Sequence, residues 1–134
     1  MNFLETALNF IFPPVCGICG KMKESYLCKE CQTKIENEPV FLNKTDDYVT
    51  KYFSTHTYLF SYTTPIREKI LQYKFKEQAY LANMFSEFFV KNEKICGFLQ
   101  KYDIIIPVPM TKKKVRKRGY NQSELIAKQI AKKI

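Results

Sequence analysis

Two Cys-x-x-Cys pairs, Cys16-Gly17-Ile18-Cys19 and Cys28-Lys29-Glu30-Cys31, stand only eight residues apart. Few patterns constrain a chain more. A two-residue spacer lets both thiolates of a pair reach one ion, and two pairs complete a tetrahedral four-thiolate site. Gly20 suits the tight turn in which backbone N–H groups point at the sulfurs. Lys21, Lys23 and Lys29 can offset the negative charge left on a thiolate-bound zinc. The competing readings are disulfides and a redox pair. Disulfides conflict with a cytoplasmic location, and a thioredoxin-like pair needs a βαβ context that the surrounding residues lack. The pattern therefore predicts a structural zinc on Cys16, Cys19, Cys28 and Cys31. A site closed by four cysteines has no open position for catalysis; it folds about 25 residues that have little core of their own. Cys96 has no partner at metal spacing and reads as an ordinary buried thiol.

The cytoplasmic expectation rests on two observations. No apolar run reaches the ~18 residues of a membrane helix. Residues 1–12 lack the basic stretch and small-residue cleavage site of a signal peptide. They read instead as an amphipathic helix, with Phe3, Leu4, Ala7, Leu8, Ile11 and Phe12 on one side, ended by Pro13-Pro14.

The second organising stretch is Asp103-Ile104-Ile105-Ile106-Pro107-Val108-Pro109, followed by a basic run. Three consecutive isoleucines read as a strand buried on both faces, as in a parallel sheet, and the prolines stop it. A basic loop is expected next. A helix then starts at Asn121, with Glu124 placed for a capping box and Leu125, Ile126, Ile130, Ala131 and Ile134 at helical spacing. Residues 111–134 carry nine Lys/Arg and one acid, a balance of +8 in a chain of net charge +9. A charge spread for solubility alone would not cluster so. Lys112, Lys113, Lys114, Arg116, Lys117, Arg118, Gly119, Asn121 and Gln122 are accordingly the candidate phosphate- or nucleic-acid-binding residues.

Between these stretches, Gln32 to Lys44 reads as a short helix ended near Pro39 and a linker, with 41–45 a poor strand. Asp46-Asp47, with no good strand before it, reads as a polar turn. Tyr52 to Tyr62 suits one or two strands. His56, inside it, lacks a Cys, Asp or Glu partner and reads as structural. Thr64 as N-cap and Pro65 at N1 start a helix carrying Ile66, Ile70, Leu71 and Tyr73. A second helix from about Gln78 to Lys91 turns Leu81, Ala82, Phe85, Phe88 and Phe89 inward. Tyr73-Lys74-Phe75, a cation between aromatics, is a candidate base-stacking element, weighed against plain packing.

The order of four cysteines, then Tyr62…Pro65…Lys74-Phe75, then Pro107-Val108-Pro109 and Arg116-Lys117-Arg118-Gly119-Tyr120-Asn121-Gln122 resembles the ComF family along nearly the whole chain. These are phosphoribosyltransferase-like proteins named for a role in DNA uptake during natural transformation. The resemblance implies zinc on the four cysteines. It also implies an α/β architecture: a zinc ribbon or knuckle within residues 1–40, then the first part of a type I phosphoribosyltransferase-like domain over 41–134. Residues 107–122 would correspond to that domain's first phosphate-contacting loop. The acidic-Thr-Thr-Gly loop that grips phosphoribosyl pyrophosphate would come later than Ile134, so no turnover is expected from these residues alone.

Two functions follow as expectations. The first is an accessory protein of DNA uptake that binds single-stranded DNA or a phosphorylated ligand, alongside a helicase-like partner. The second is a phosphoribosyltransferase, or part of one, using magnesium and phosphoribosyl pyrophosphate.

Overall fold

The computed structural model describes residues 13–35, 40–43 and 55–134. The expected N-terminal helix and the Asp46-Asp47 turn lie outside the described residues. What is described is mixed but mostly helical: one two-stranded ladder and six helices.

The cysteine module comes first. Its chain reverses at Gly20, and Val15 bridges Met22 antiparallel. Helix α1 (Lys29–Ile35) begins inside the second cysteine pair, earlier than the sequence suggested. Strand β1 (Val40–Asn43) pairs antiparallel with β2 (Thr55–Tyr58), in the register Val40 to Tyr58 and Asn43 to Thr55. The stretch judged a poor strand is thus a strand. Pairing across the ladder overrides the weak local propensity of 41–43.

Helix α2 (Ile66–Phe75) buries Ile66 and Tyr73. Pro65 occupies its N-cap rather than N1, and no side chain caps it, which corrects the assignment of that role to Thr64. Helix α3 (Leu81–Lys91) is the centre of the molecule. Leu81, Ala82, Met84, Phe85, Ser86, Glu87 and Phe88 are all buried along it. It contains no Gly or Pro to interrupt it. Asn92 leaves the helical region and stops it, then caps α4 (Glu93–Leu99) by accepting from the Ile95 N–H at 3.1 Å.

The basic run is not a loop. Lys112–Arg118 form a helix, α5. Thr111 caps it, accepting from Lys114 N, and Gly119 ends it in the left-handed region at φ 79°. Lysine and arginine are good helix formers, and Arg116, Lys117 and Arg118 sit in the last turn, where the helix dipole favours cations. Only glycine adopts the turn after Arg118 without strain. Helix α6 (Gln122–Ala131) then returns across α3, the most extensive helix pair among the described residues.

One core cluster runs from Cys16, Leu27 and Ile35 of the cysteine module through Leu59, Ile66 and Tyr73 to Leu81, Met84, Phe85 and Ile95. Leu27, Leu81, Met84 and Ile95 are sealed from solvent, each worth roughly 1.5–3 kcal/mol of burial. Cys96, expected to be buried, is only half-buried.

The isoleucine stretch departs from expectation. Among the described residues 104–106 pair with no strand. Exposure alternates: Ile105 and Pro107 are half-buried, while Ile104, Ile106 and Val108 are 74, 83 and 73% exposed. Ile105 and Pro107 face a depression shared with Ala127 and Ala131 of α6. A strand buried on both faces needs a sheet to sit in and a packed layer on each side of it, and the described residues place no strand beside 104–106. A phosphoribosyltransferase-like sheet is therefore not present among them.

Candidate metal centre and nucleic-acid interface

The four predicted cysteines converge. Their Sγ atoms all lie within 4.8 Å of one another, and Cys19 Sγ is 4.0 Å from Cys28 Sγ. Sulfurs about 2.3 Å from a tetrahedral zinc stand roughly 3.8 Å apart, whereas a disulfide needs about 2.05 Å. The spacing fits a shared ion and not a pair of disulfides. Among the described residues this is the single group of three or more Cys, His, Asp or Glu placed to do so.

Local backbone bonds set that geometry. Gly20 N donates to Cys16 O, Cys16 N to Lys21 O, and Gly17 N to Tyr26 O, all at 2.9 Å. Gly20 sits at φ 73°, which a side chain would strain. Cys16, Cys28 and Cys31 are buried, and Cys19 is exposed. The thiols are unequal. Burial pushes Cys16 up, but hydrogen bonds from the backbone of Cys28, Cys19 and Ile18 outweigh it and bring the thiol to about 6. Burial and the surrounding thiols push Cys31 up to about 12. Of these two, Cys16 is the first to present a thiolate. Lys23, expected near the sulfurs, pairs with Glu30 at 3.7 Å.

Sequence reading missed the anchor of this module. Glu87 of α3 accepts from Leu27 N at 3.0 Å and Tyr26 N at 3.4 Å, and pairs with Lys91 at 2.8 Å and Lys133 at 4.0 Å. A carboxylate within an apolar helical stripe was the available signal, since such groups are rarely buried unless paired.

The basic residues divide by helical spacing. Lys114, Lys117 and Arg118 are related by three and four positions and share a face of α5. They line a cleft of about 270 Å³ with Lys74, Phe75 and Glu77. Lys112, Lys113 and Arg116 are exposed and do not line it. Phe75 is 65% exposed, with the Arg118 guanidinium 4.9 Å from its ring centre. That is a cation–π contact. Tyr73 is not available for stacking on a ligand. It is 3% exposed, its hydroxyl donates to Gln122 O at 2.8 Å, and the Tyr120 hydroxyl donates back to Tyr73 O. Of the candidate stacking trio, Lys74 and Phe75 reach the cleft surface.

Asn121 occupies the N-cap of α6 without a side-chain cap bond. Its Nδ2 donates to Val108 O at 3.2 Å, and its Oδ1 accepts from the Ser123 hydroxyl at 2.9 Å. Glu124 pairs with Lys128 at 2.6 Å instead of closing a capping box. Gln122 Oε1 accepts from Arg118 Nη1 at 3.3 Å. Asn121 therefore ties the α6 start to the proline-flanked segment, and Gln122 ties it to α5. Gly119 serves as the hinge between the two helices.

No protein-family model matches the chain, and no solved structure does. Among curated proteins it is similar to the competence protein ComFC of Bacillus subtilis (strain 168), 23% identical over 128 residues. The likeness covers 92% of this chain and 48% of that protein, so the chain spans about half the length of the curated relative it matches.

Proposed function

We propose, for a chain that belongs to the ComF family on the likeness just described, a competence-related role in which it binds single-stranded DNA. The observation that carries this reading is the cleft between α2 and α5. There an exposed Phe75 ring lies against Arg118 and is flanked by Lys74, Lys114 and Lys117. An aromatic platform set among cations is how proteins grip single strands without reading sequence: bases stack on the ring and phosphates meet the charges. Glu77 is the one acid on the rim and keeps the cleft from being uniformly attractive. Lys112, Lys113 and Arg116 lie outside the cleft and add to the long-range field that draws a polyanion in. An ion on the four cysteines, zinc by ligand chemistry, has the structural part of holding the first module against α3.

Anisotropy titrations of a thymidine oligonucleotide at several salt concentrations test this. With three or four cleft cations on phosphates, log K falls against log salt with a slope of about −2 to −3. Phe75→Ala weakens binding without changing the slope, as loss of stacking requires. The double variant Lys114→Ala, Lys117→Ala flattens the slope by roughly 1 to 1.5. Equal affinity and slope in all three proteins would remove the cleft from the role.

The other reading is phosphoribosyl transfer with magnesium and phosphoribosyl pyrophosphate. Pyrophosphate release by this chain, measured with candidate acceptor bases, would favour it over the accessory role. A helicase-like partner in DNA uptake belongs to the same proposal and would show in co-purification that survives nuclease.

A further inference from the structure

The basic cleft continues, past Lys74 and Arg118, into a second groove of about 500 Å³. Both residues line both spaces. The groove has the size of a small-molecule site, roughly 300–1,000 Å³, and is walled by Phe60, Tyr62, Phe85, Phe89, Met110 and Ile126. One polar side chain in its lining is out of place. Gln122 is only 7% exposed, and its Nε2 has no hydrogen-bond partner among the described residues. A buried donor left unpaired is costly, so a residue kept this way invites a ligand that brings an acceptor.

The amide's orientation is fixed. Gln122 Oε1 accepts from Arg118 Nη1, so the amide oxygen is turned to the guanidinium, and the Nε2 donor beside it carries no bond among the described residues. Its backbone carbonyl is taken as well, by the Tyr73 hydroxyl. Arg118 has only donors to offer. At this corner of the groove the guanidinium and amide donors stand side by side.

We propose that this groove takes a guanine base of the bound strand, its flat face on the aromatic walls and its N7 and O6 toward Gln122 and Arg118. The inference rests on the cleft reading above and gives it a base preference. Guanine shows two adjacent acceptors on that edge. Adenine sets an amino donor beside N7, cytosine shows an amino donor, and thymine one acceptor and a methyl. A free glutamine amide matches adenine, with its donor and acceptor used together. Here the Arg118 guanidinium stands against that acceptor and opposes adenine's amino group, and the match moves to guanine. Lys114 and Lys117 are left for the flanking phosphates, in the cleft that Arg118 shares with the groove.

The test uses the full chain and thymidine oligonucleotides with one central position changed to dG, dA, dC or 7-deaza-dG, read by anisotropy. The dG strand binds about tenfold tighter than the dA strand, the size of one good base contact. The 7-deaza-dG strand, which lacks the N7 acceptor, loses most of that gain on the unaltered protein. Gln122→Met, similar in volume but without the donor, brings dG down to the dA level; the readout is the dG-to-dA ratio within each protein, so a general change in affinity does not enter it. Equal affinity for dG and dA overturns the guanine site while the cleft reading stands. That is also the outcome if an apolar peptide is the groove's natural occupant. A dG preference that survives Gln122→Met or 7-deaza substitution overturns the assignment as well. Failure of every strand to bind sinks the cleft reading and this inference with it.

Discussion

Leu27 N donates to Glu87 Oε2 at 3.0 Å across 60 positions of sequence. This bond, with Tyr26 N on the other oxygen, joins the cysteine module to the central helix. Glu87→Ala leaves two backbone donors without their acceptor and the Lys91 ammonium with the Leu27 carbonyl in place of a carboxylate. Removing such a partner costs about 2–3 kcal/mol. Glu87→Gln, which keeps one acceptor oxygen, costs less. Urea melts that shift midpoint at constant slope would show both.

Gly17 is required for close approach rather than for a turn. A Cβ there would stand 2.5 Å from Met84 Sδ and 2.9 Å from Leu81 Cδ2. Gly17→Ala should destabilise by roughly 1–3 kcal/mol through overpacking. Met84→Ala alone opens a cavity at a fully buried position. The double variant should cost less than the sum of the two, because each change makes room for the other. A thermodynamic cycle with additive terms would place the clash elsewhere.

Native mass spectrometry should find one zinc per chain, lost in Cys28→Ser. Because Cys16, Cys28 and Cys31 belong to the same buried cluster as Leu81 and Ile95, the loss should lower the melting of the whole chain and not only of its first 35 residues. A metal-free chain with an unchanged melt would show that the cysteines need no ion.

Alkaline stability should fall from about pH 10. Burial, and then the neighbouring Tyr120, raise Tyr73 above its ordinary value of 10.0, and Tyr120 is raised too, by burial first and then Glu77. A phenol with a raised folded-state pKa gives stability that is complete below pH 10 and is lost as pH climbs toward the folded value. Lys133, lowered by burial against the pull of Glu87, works in the opposite direction. Comparing melts of the native chain and Tyr73→Phe at pH 8 and 11 isolates the tyrosine: the variant should lose less on going alkaline.

Ile104, Ile106 and Val108 project from one side of the segment with no cover among the described residues. Concentrated solutions should self-associate, by sedimentation, and Ile104→Lys with Ile106→Lys should suppress it. Association that is insensitive to these changes would assign it to another surface.

The cysteine centre was legible in the sequence because metal ligation fixes both residue type and spacing. The stripe of α3 was legible too, though not the depth of its burial. Glu87 escaped notice because a single acid among apolar residues reads as the solvent side until its partners, 60 residues away, are known. The α5 helix was read as a loop from its charge. Thr111 and Gly119 bracketed it in plain view, and capping residues proved the better guide. The isoleucine segment failed for a different reason. Periodicity reports what a residue would bury against, and cannot say whether a neighbour is there. Within the candidate stacking trio, Tyr73 lies in the core and Phe75 outside it, because two positions along a helix point to opposite faces.

Tyr73 and Tyr120 each donate a hydroxyl into the other's neighbourhood, one to the carbonyl of Gln122 and one to that of Tyr73, with their rings 5.5 Å apart. This double clasp holds the end of α2 to the start of α6. The shape of the cleft is therefore set by one buried and one half-buried phenol, while its charge is set by lysines out in the solvent. Shape and charge are separate controls. Substitutions at Lys114 or Lys117 can retune the strength of attraction over a wide range without moving the frame, whereas a change at Tyr73 alters every contact the cleft can make.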